Sequence, residues 1–334
     1  MEKIQISLQA TTPIVPGRTF VILRTCKKID ELTWVTWVEH LELEQSYLDP
    51  KLYNDLCCRG FAFGAERWVA CLARSCERRS YHRSMSELAL THLKGQDLLD
   101  FEKRCVMMIS KRMVRDFCLN IVPLCRQPDP TLCVPPPSLA FCYLKRQKSP
   151  NQDNPNEYVV FATTTFSVPH SPEFVLRILG DESRRHELDA SGRIGRLADQ
   201  VTCYTTGDDP MNKISVQANQ SLGNNEVLLQ ETSVSPSGSL VVWSLLTKEP
   251  FELPRLGRVP QDFPLIGLSG VANSLQNTTT SSNTGGGSFI TLGLQQVYCY
   301  TDLGPKLTEV VTKLMRDTIN RIVAVLNSRK DQGM

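Results

Sequence analysis

The side chains able to do covalent or metal chemistry are thinly spread in this chain. Its five histidines, His40, His82, His92, His170 and His186, share no spacing. His186-Glu187 is not followed by a second histidine at the interval with which one helix face holds zinc. No G-x-S-x-G turn surrounds Ser237, Ser239 or Ser269 to raise a serine as nucleophile. Gly285-Gly286-Gly287-Ser288 has the glycines of a phosphate loop, but no lysine follows, and the next residues read as a strand rather than a helix whose N-terminus would face an anion. The twelve cysteines contain no C-x-x-C pair and no nearby histidine pair, which argues against structural zinc. In a chain this long they read as small buried hydrophobes and free thiols. These residues point away from catalysis and from a resident metal or cofactor.

Charge narrows the reading further. Residues 1–126 hold 19 Lys and Arg against 15 Asp and Glu, a net +4, and residues 127–334 hold 18 against 20, a net −2. Neither half is basic enough to wrap a phosphate backbone, so direct nucleic-acid binding by this chain is not expected. No apolar run approaches the roughly 18 residues of a membrane span, and the start of the chain does not resemble a secretory signal. The chain reads as soluble and intracellular, and with 334 residues, 41% of them hydrophobic, it can bury about two cores.

The elements that would position any site follow from hydrophobic spacing. Ile4–Ala10, Phe20–Arg24 and Trp34–Val38 alternate or run apolar as strands, with Pro13 and Pro16-Gly17 marking a turn. Leu48–Arg79 reads as helix, broken near Arg59-Gly60. It has one apolar face (Phe61, Ala65, Trp68, Val69, Leu72, Cys76) and one charged face (Glu66, Arg67, Arg74, Glu77, Arg78) expected to lie in water. Arg74, Arg78, Arg79 and Arg83 suit the negative end of that helix. A second helix over Phe101–Asn120 sets Cys105, Val106, Ile109, Met113 and Phe117 against Lys103, Arg104, Lys111, Arg112 and Arg115. Such a basic amphipathic helix either meets a membrane surface or calmodulin-like partner, or packs as the first helix of a domain with its Lys and Arg stems snorkelling.

Gln127–Ser138 reads as an extended Pro-rich linker and Lys145–Glu157 as a mobile loop. A new unit then opens with a strand over Tyr158–Val168 and a helix through Leu179, with Ser171 as N-cap and Pro172 in the first turn. Strands follow at Gln200–Thr205, Lys213–Ala218, Val227–Ser233 and Leu240–Leu246, the last two joined by a turn over Ser235–Gly238. After a polar loop over Ser269–Ser288 come a strand over Phe289–Tyr300 and a helix from Pro305 with Leu307, Val310, Val311, Leu314, Ile319, Ile322, Val323 and Leu326 on one face. The order describes an α+β, helix-grip fold, an antiparallel curved sheet under a long C-terminal helix.

Several phrases carry a family resemblance. VTWVEH and GFAFGAERWVACLARSCE, within Val35–Glu77, resemble the end of the START lipid-binding domain of plant class IV homeodomain–leucine-zipper transcription factors. Leu8–Lys28 is similar to an earlier strand turn of that domain. Ile109–Cys118, Gln230–Trp243 and Gly285–Gln295 are similar to phrases of the family's START-adjacent region. Leu23–Asp30 runs into Val35–His40 with fewer intervening residues than in that family, and no homeodomain or a/d heptad of a zipper is seen. The resemblance thus implies an incomplete first START copy over residues 1–85, arising by truncation, splicing or an incomplete gene model. A connecting helix and linkers follow over 86–157, and a second START-like unit over 158–330, with helix 101–120 as its first helix.

It further implies a non-enzymatic, lipid- or sterol-binding regulatory module of a nuclear transcription factor, cytoplasmic if targeting is lacking. The partners implied are a hydrophobic small molecule and proteins of the transcription machinery. The alternative is a ligand-free interaction module or a non-DNA-binding fragment. Since helix-grip folds also host enzymes, a buried polar pair with shifted pKa values would be the mark of a catalytic exception. By helix face, the pocket candidates are Phe61, Trp68 and Leu72 in the first unit and Val311, Leu314 and Ile322 in the second, with ordinary core packing open for each.

Overall fold

A computed structural model describes residues 2–8, 18–28, 34–37, 64–91, 97–121, 133–134, 142–148, 157–220, 226–236, 238–247, 265–271, 287–299 and 306–330. The described strands make two antiparallel sheets in an α+β, START-like arrangement. The first holds β1 (Glu2–Leu8), β2 (Arg18–Lys28) and β3 (Trp34–Trp37) in that order. Two helices follow, α1 (Ala65–Thr91) and α2 (Asp97–Ile121).

The second sheet comprises β4 (Cys133–Val134), β5 (Cys142–Lys148), β6 (Glu157–Val168), β7 (Leu197–Thr205), β8 (Lys213–Asn219), β9 (Glu226–Ser235), β10 (Gly238–Thr247), β11 (Leu265–Val271) and β12 (Ser288–Cys299). Across the sheet the order is β4-β5-β6-β12-β11-β10-β9-β8-β7. Between β6 and β7 lie α3 (Pro172–Leu179), a 3-10 turn (Glu182–Arg184) and the one-turn α4 (Arg185–Leu188), and α5 (Leu307–Lys330) closes the chain. Ser171 caps α3, its hydroxyl accepting from the Phe174 amide at 3.3 Å.

Successive strand residues point to opposite faces, and at the centre of this sheet both faces are covered, so β9 and β10 each bury six consecutive residues, whereas the edge strand β7 is largely exposed. Ala162, Leu228, Val241, Trp243, Ile290 and Leu292 turn toward Val175 and Leu179 of α3, Leu188 of α4, and Val311, Met315, Ile322 and Leu326 of α5. Their neighbours Phe161, Val227, Leu229 and Val242 turn the other way, onto Val106, Ile109, Met113, Phe117 and Ile121 of α2. The predicted apolar face of that second helix is therefore its buried face. A β-carbon on Gly293 would lie 2.7 Å from the Phe117 ring and 2.8 Å from Phe161. Only a glycine lets the two rings meet edge to face there, with centroids 6.5 Å apart.

Several sequence expectations need correction. The first helix continues to Thr91 instead of ending near Arg79, and its last turn carries no basic residue. Nothing between Arg79 and Thr91 is a Pro or Gly that would stop it, so the arginine cluster sits mid-helix and has no helix end to neutralise. Lys145–Lys148, expected in a mobile loop, belong to β5 and pair with Tyr158–Phe161. Ser269–Val271, expected in the polar loop, pair with Phe289–Thr291 as part of β11. In both cases pairing with a long, well-formed neighbour overrides weak local propensity. The helix expected over 48–63 lies outside the described residues.

Candidate functional site

Two polar clusters interrupt the apolar layers, and they occupy opposite faces of β9. On the face covered by α3, α4 and α5 sits Arg185, the first residue of α4, fully buried. Its Nε donates to Gln230 Oε1 and its Nη2 to the Leu179 carbonyl, while Nη1 has no hydrogen-bond partner. The guanidinium stands over the Trp243 ring, 4.3 Å from its centroid, a cation–π contact that strengthens as water is excluded. Trp243 Nε1 is likewise buried without a partner. Gln230 is held in turn by donating to the Gly180 carbonyl at 2.7 Å and to Thr232 at 3.2 Å. Burial pulls the Arg185 pKa down to about 9, against the opposing pull of the Glu182 and Asp181 carboxylates.

On the other face the next residue of β9, Glu231, is 1% exposed. Arg78 of α1 clasps it with two bonds of 2.6 Å, and the Ser110 hydroxyl of α2 donates to it as well. This planar, two-pronged geometry is what an arginine fork offers a carboxylate. One turn earlier Arg74 donates to Ser233 Oγ at 2.8 Å, to the Thr206 carbonyl at 2.6 Å and to Thr206 Oγ1 at 2.9 Å. Glu77 holds Arg74 at 3.0 Å and accepts from the Asp208 amide at 2.7 Å. A β-carbon on Gly207 would lie 2.7 Å from that Glu77 oxygen, so the glycine leaves room for the carboxylate.

Tyr81 donates to Asp208, and His82 Nε2 lies 3.3 Å from the Met107 carbonyl. A carbonyl can only accept, so that nitrogen carries the proton. Burial lowers the His82 pKa, and it also lowers that of Arg74, where Glu77 and Glu231 oppose it. Burial pushes the Cys118 thiol near Glu231 up to about 12, which disfavours its thiolate. Among the described residues no group of His, Cys, Asp and Glu is placed to hold a metal, and no helix is long and apolar enough to cross a membrane.

Residues 101–328 match the model of the PDF2-like C-terminal domain, which takes in most of α2, the second sheet and nearly all of α5. The chain belongs to that family, within the class IV homeobox-leucine zipper proteins. Two Arabidopsis thaliana homeobox-leucine zipper proteins of this class, HDG11 and HDG12, are each 29% identical to it. The HDG11 match runs over 374 aligned positions, 96% of this chain and 50% of the relative, and the HDG12 match covers 96% and 51%. Rice ROC3 is 33% identical over 242 positions, 70% of this chain and 26% of the relative. The chain spans about half the length of the curated relatives it matches. The aligned span with HDG11 exceeds 334 positions, so that relative carries internal stretches which this PDF2-like chain lacks.

The structure separates the residues singled out by spacing. Val311 and Ile322 are buried side by side with the second sheet, and Leu314 is partly buried at the edge of the same cluster. Trp68 and Leu72 point away from it, 44% and 58% exposed, and Phe61 lies outside the described residues. The charged face of α1, expected in water, is instead the face laid on β9, because Glu231, Ser233 and Thr206 supply an acceptor for each buried donor of Arg74 and Arg78. Spacing missed Arg185 and Glu231. The latter had a weak local signal, the polar stretch Gln230–Ser233 directly after the apolar run Val227–Leu229, whereas Arg185 had none.

Proposed function

We propose that this chain is a non-enzymatic regulatory module of a plant homeobox-leucine zipper transcription factor, acting in the nucleus, whose second unit holds an amphipathic lipid or sterol. The observation that carries the reading is Arg185, buried beneath α5 with one guanidinium nitrogen unpartnered beside the equally unpartnered indole N–H of Trp243. A buried charge short of an acceptor is costly, and a ligand carboxylate, phosphate or hydroxyl would supply one. Val311, Leu314 and Ile322 on α5 would form the apolar wall along the ligand's tail. Because Gln230 and Glu231 are consecutive, occupancy felt at Arg185 reaches Arg78 of α1 through one strand. A ligand that favours one setting of that strand stabilises it by mass action.

Native mass spectrometry of the chain purified from a eukaryotic host, before and after denaturing extraction, tests this. A discrete added mass that extraction removes, and that is lost in Arg185→Met but retained in Arg185→Lys, is the expected result. Bare, compact protein would overturn it. That outcome would select a second reading, a ligand-free module for proteins of the transcription machinery, which the exposure of Trp68, Val69 and Leu72 favours.

A further inference from the structure

Where α1 and α2 run side by side they leave a groove of about 870 Å³. Its walls carry Arg78, Arg79 and Arg83 from α1 and Lys111, Arg112 and Arg115 from α2, and His82 lies between. The sequence holds these as two separate basic stripes at helical spacing, one around Arg79 and one around Lys111; the fold turns them toward each other. No carboxylate lines the groove among the described residues. Carboxylates behind it serve to aim the cations. Glu231 fixes Arg78, while Asp116 takes Arg112 at 3.4 Å and Arg115 at 3.1 Å.

We propose that this groove is a binding site for a compact polyanion, a polyol ring carrying several phosphates, either free or as the headgroup of a membrane lipid. Six cationic side chains stand against the two carboxylates that pair with three of them, so the cleft keeps an excess of positive charge, and a cleft walled by protein concentrates its field. A dense anion offsets that excess. Arginine outnumbers lysine five to one in the walls, and its fork matches the oxygens of a phosphate. The volume lies within the range of a small-molecule site and suits a single ring better than an extended chain. A nucleic-acid backbone would require a basic surface continuing beyond the cleft, whereas here each half of the chain is close to neutral. Met108, half-exposed at the rim, and Val114 supply a small apolar border. The site lies on the opposite face of the sheet from Arg185 and does not rest on the interior ligand proposed above.

Isothermal titration of the 334-residue chain with inositol hexakisphosphate, at an ionic strength of about 0.15 M, tests the site. One molecule should bind per chain. The double variant Arg79→Glu/Lys111→Glu takes one exposed cation from each wall and should weaken binding at least about 100-fold, roughly tenfold for each charge-assisted hydrogen bond removed. Lys313→Glu/Arg316→Glu on α5 makes the same change in net charge on the far face and should leave binding unaltered. Arg79→Gln/Lys111→Gln, checked for an unchanged melting temperature, covers the case in which charge reversal unfolds the helices.

Flotation with vesicles assigns the source. Capture by phosphatidylinositol bisphosphate vesicles beyond equally charged phosphatidylserine vesicles identifies a lipid headgroup, and titration binding without capture identifies a soluble ligand. No binding, binding equally weakened by the α5 variant, or equal affinity for polyglutamate or duplex DNA would overturn the proposal.

Discussion

On one side of the nine-stranded sheet α5 brings Val311, Met315, Ile322 and Leu326 to an apolar layer, while on the other α1 arrives with arginines and finds Glu231, Ser233 and Thr206 waiting. The first contact is non-directional and scales with the area removed from water. The second is directional, since each buried donor has one acceptor in one place, and a misplaced α1 would strand charge. Apolar burial can hold a helix on a sheet over a range of settings. A forked ion pair with a buried carboxylate specifies one. The PDF2-like fold thus uses apolar packing where α2 and α5 must simply stay, and ionic pairing where the helix preceding the matched domain must be set at a defined place.

Substitutions can break this contrast, and the largest effect is expected in the apolar layer of α2. Phe117→Ala removes a fully buried ring from beneath Gly293 and Phe161 and should lower unfolding free energy by about 3–5 kcal/mol in urea denaturation. The ionic joint comes next. Glu231→Gln leaves the Arg78 guanidinium without its counter-charge, but that side chain keeps 17% of its exposure, so the loss should be about 2 kcal/mol, below the range for a fully buried pair. The double change with Arg78→Met should cost less than the two single effects added together. Strict additivity would show that the pair sets nothing. Removing the cap with Ser171→Ala, away from both layers, should cost about 1 kcal/mol and leave the joint's coupling unchanged.

The smallest effect is a pH slope. His82 has a folded pKa below its ordinary value, so the unfolded chain binds the proton first. Stability contributed there is present above the ordinary histidine range and falls as pH drops through it toward the lowered folded value. Thermal melts across that window should be flatter for His82→Gln than for the parent chain.

How much could be read from the residues alone follows the same contrast. The α2 stripe of Cys105, Val106, Ile109, Met113 and Phe117 was legible because an apolar face repeats with the helix and burial obeys the repeat. The Ser171 cap and the strands from Tyr158 to Leu246 were legible through local turn chemistry and β-branched runs. The inward face of α1 was misread, since the rule that charge faces water holds only when no partner is supplied, and the partners of Arg74 and Arg78 lie more than 130 residues away. Strands β5 and β11 carry too few local cues and exist through pairing with β6 and β12. Arg185 looks like any surface arginine until Gln230 and Trp243 are folded around it.

The adjacent pair Gln230 and Glu231 has a consequence for how the chain assembles. With Val227, Leu228 and Leu229 apolar toward both faces, a hairpin that closed one residue out of step would forfeit little hydrophobic burial. Such a slipped hairpin would present a neutral amide to Arg78 in place of its counter-charge and thrust the carboxylate under α5. The two polar residues therefore act as a tooth in the β9–β10 zipper, making the native register the one in which both charges find partners.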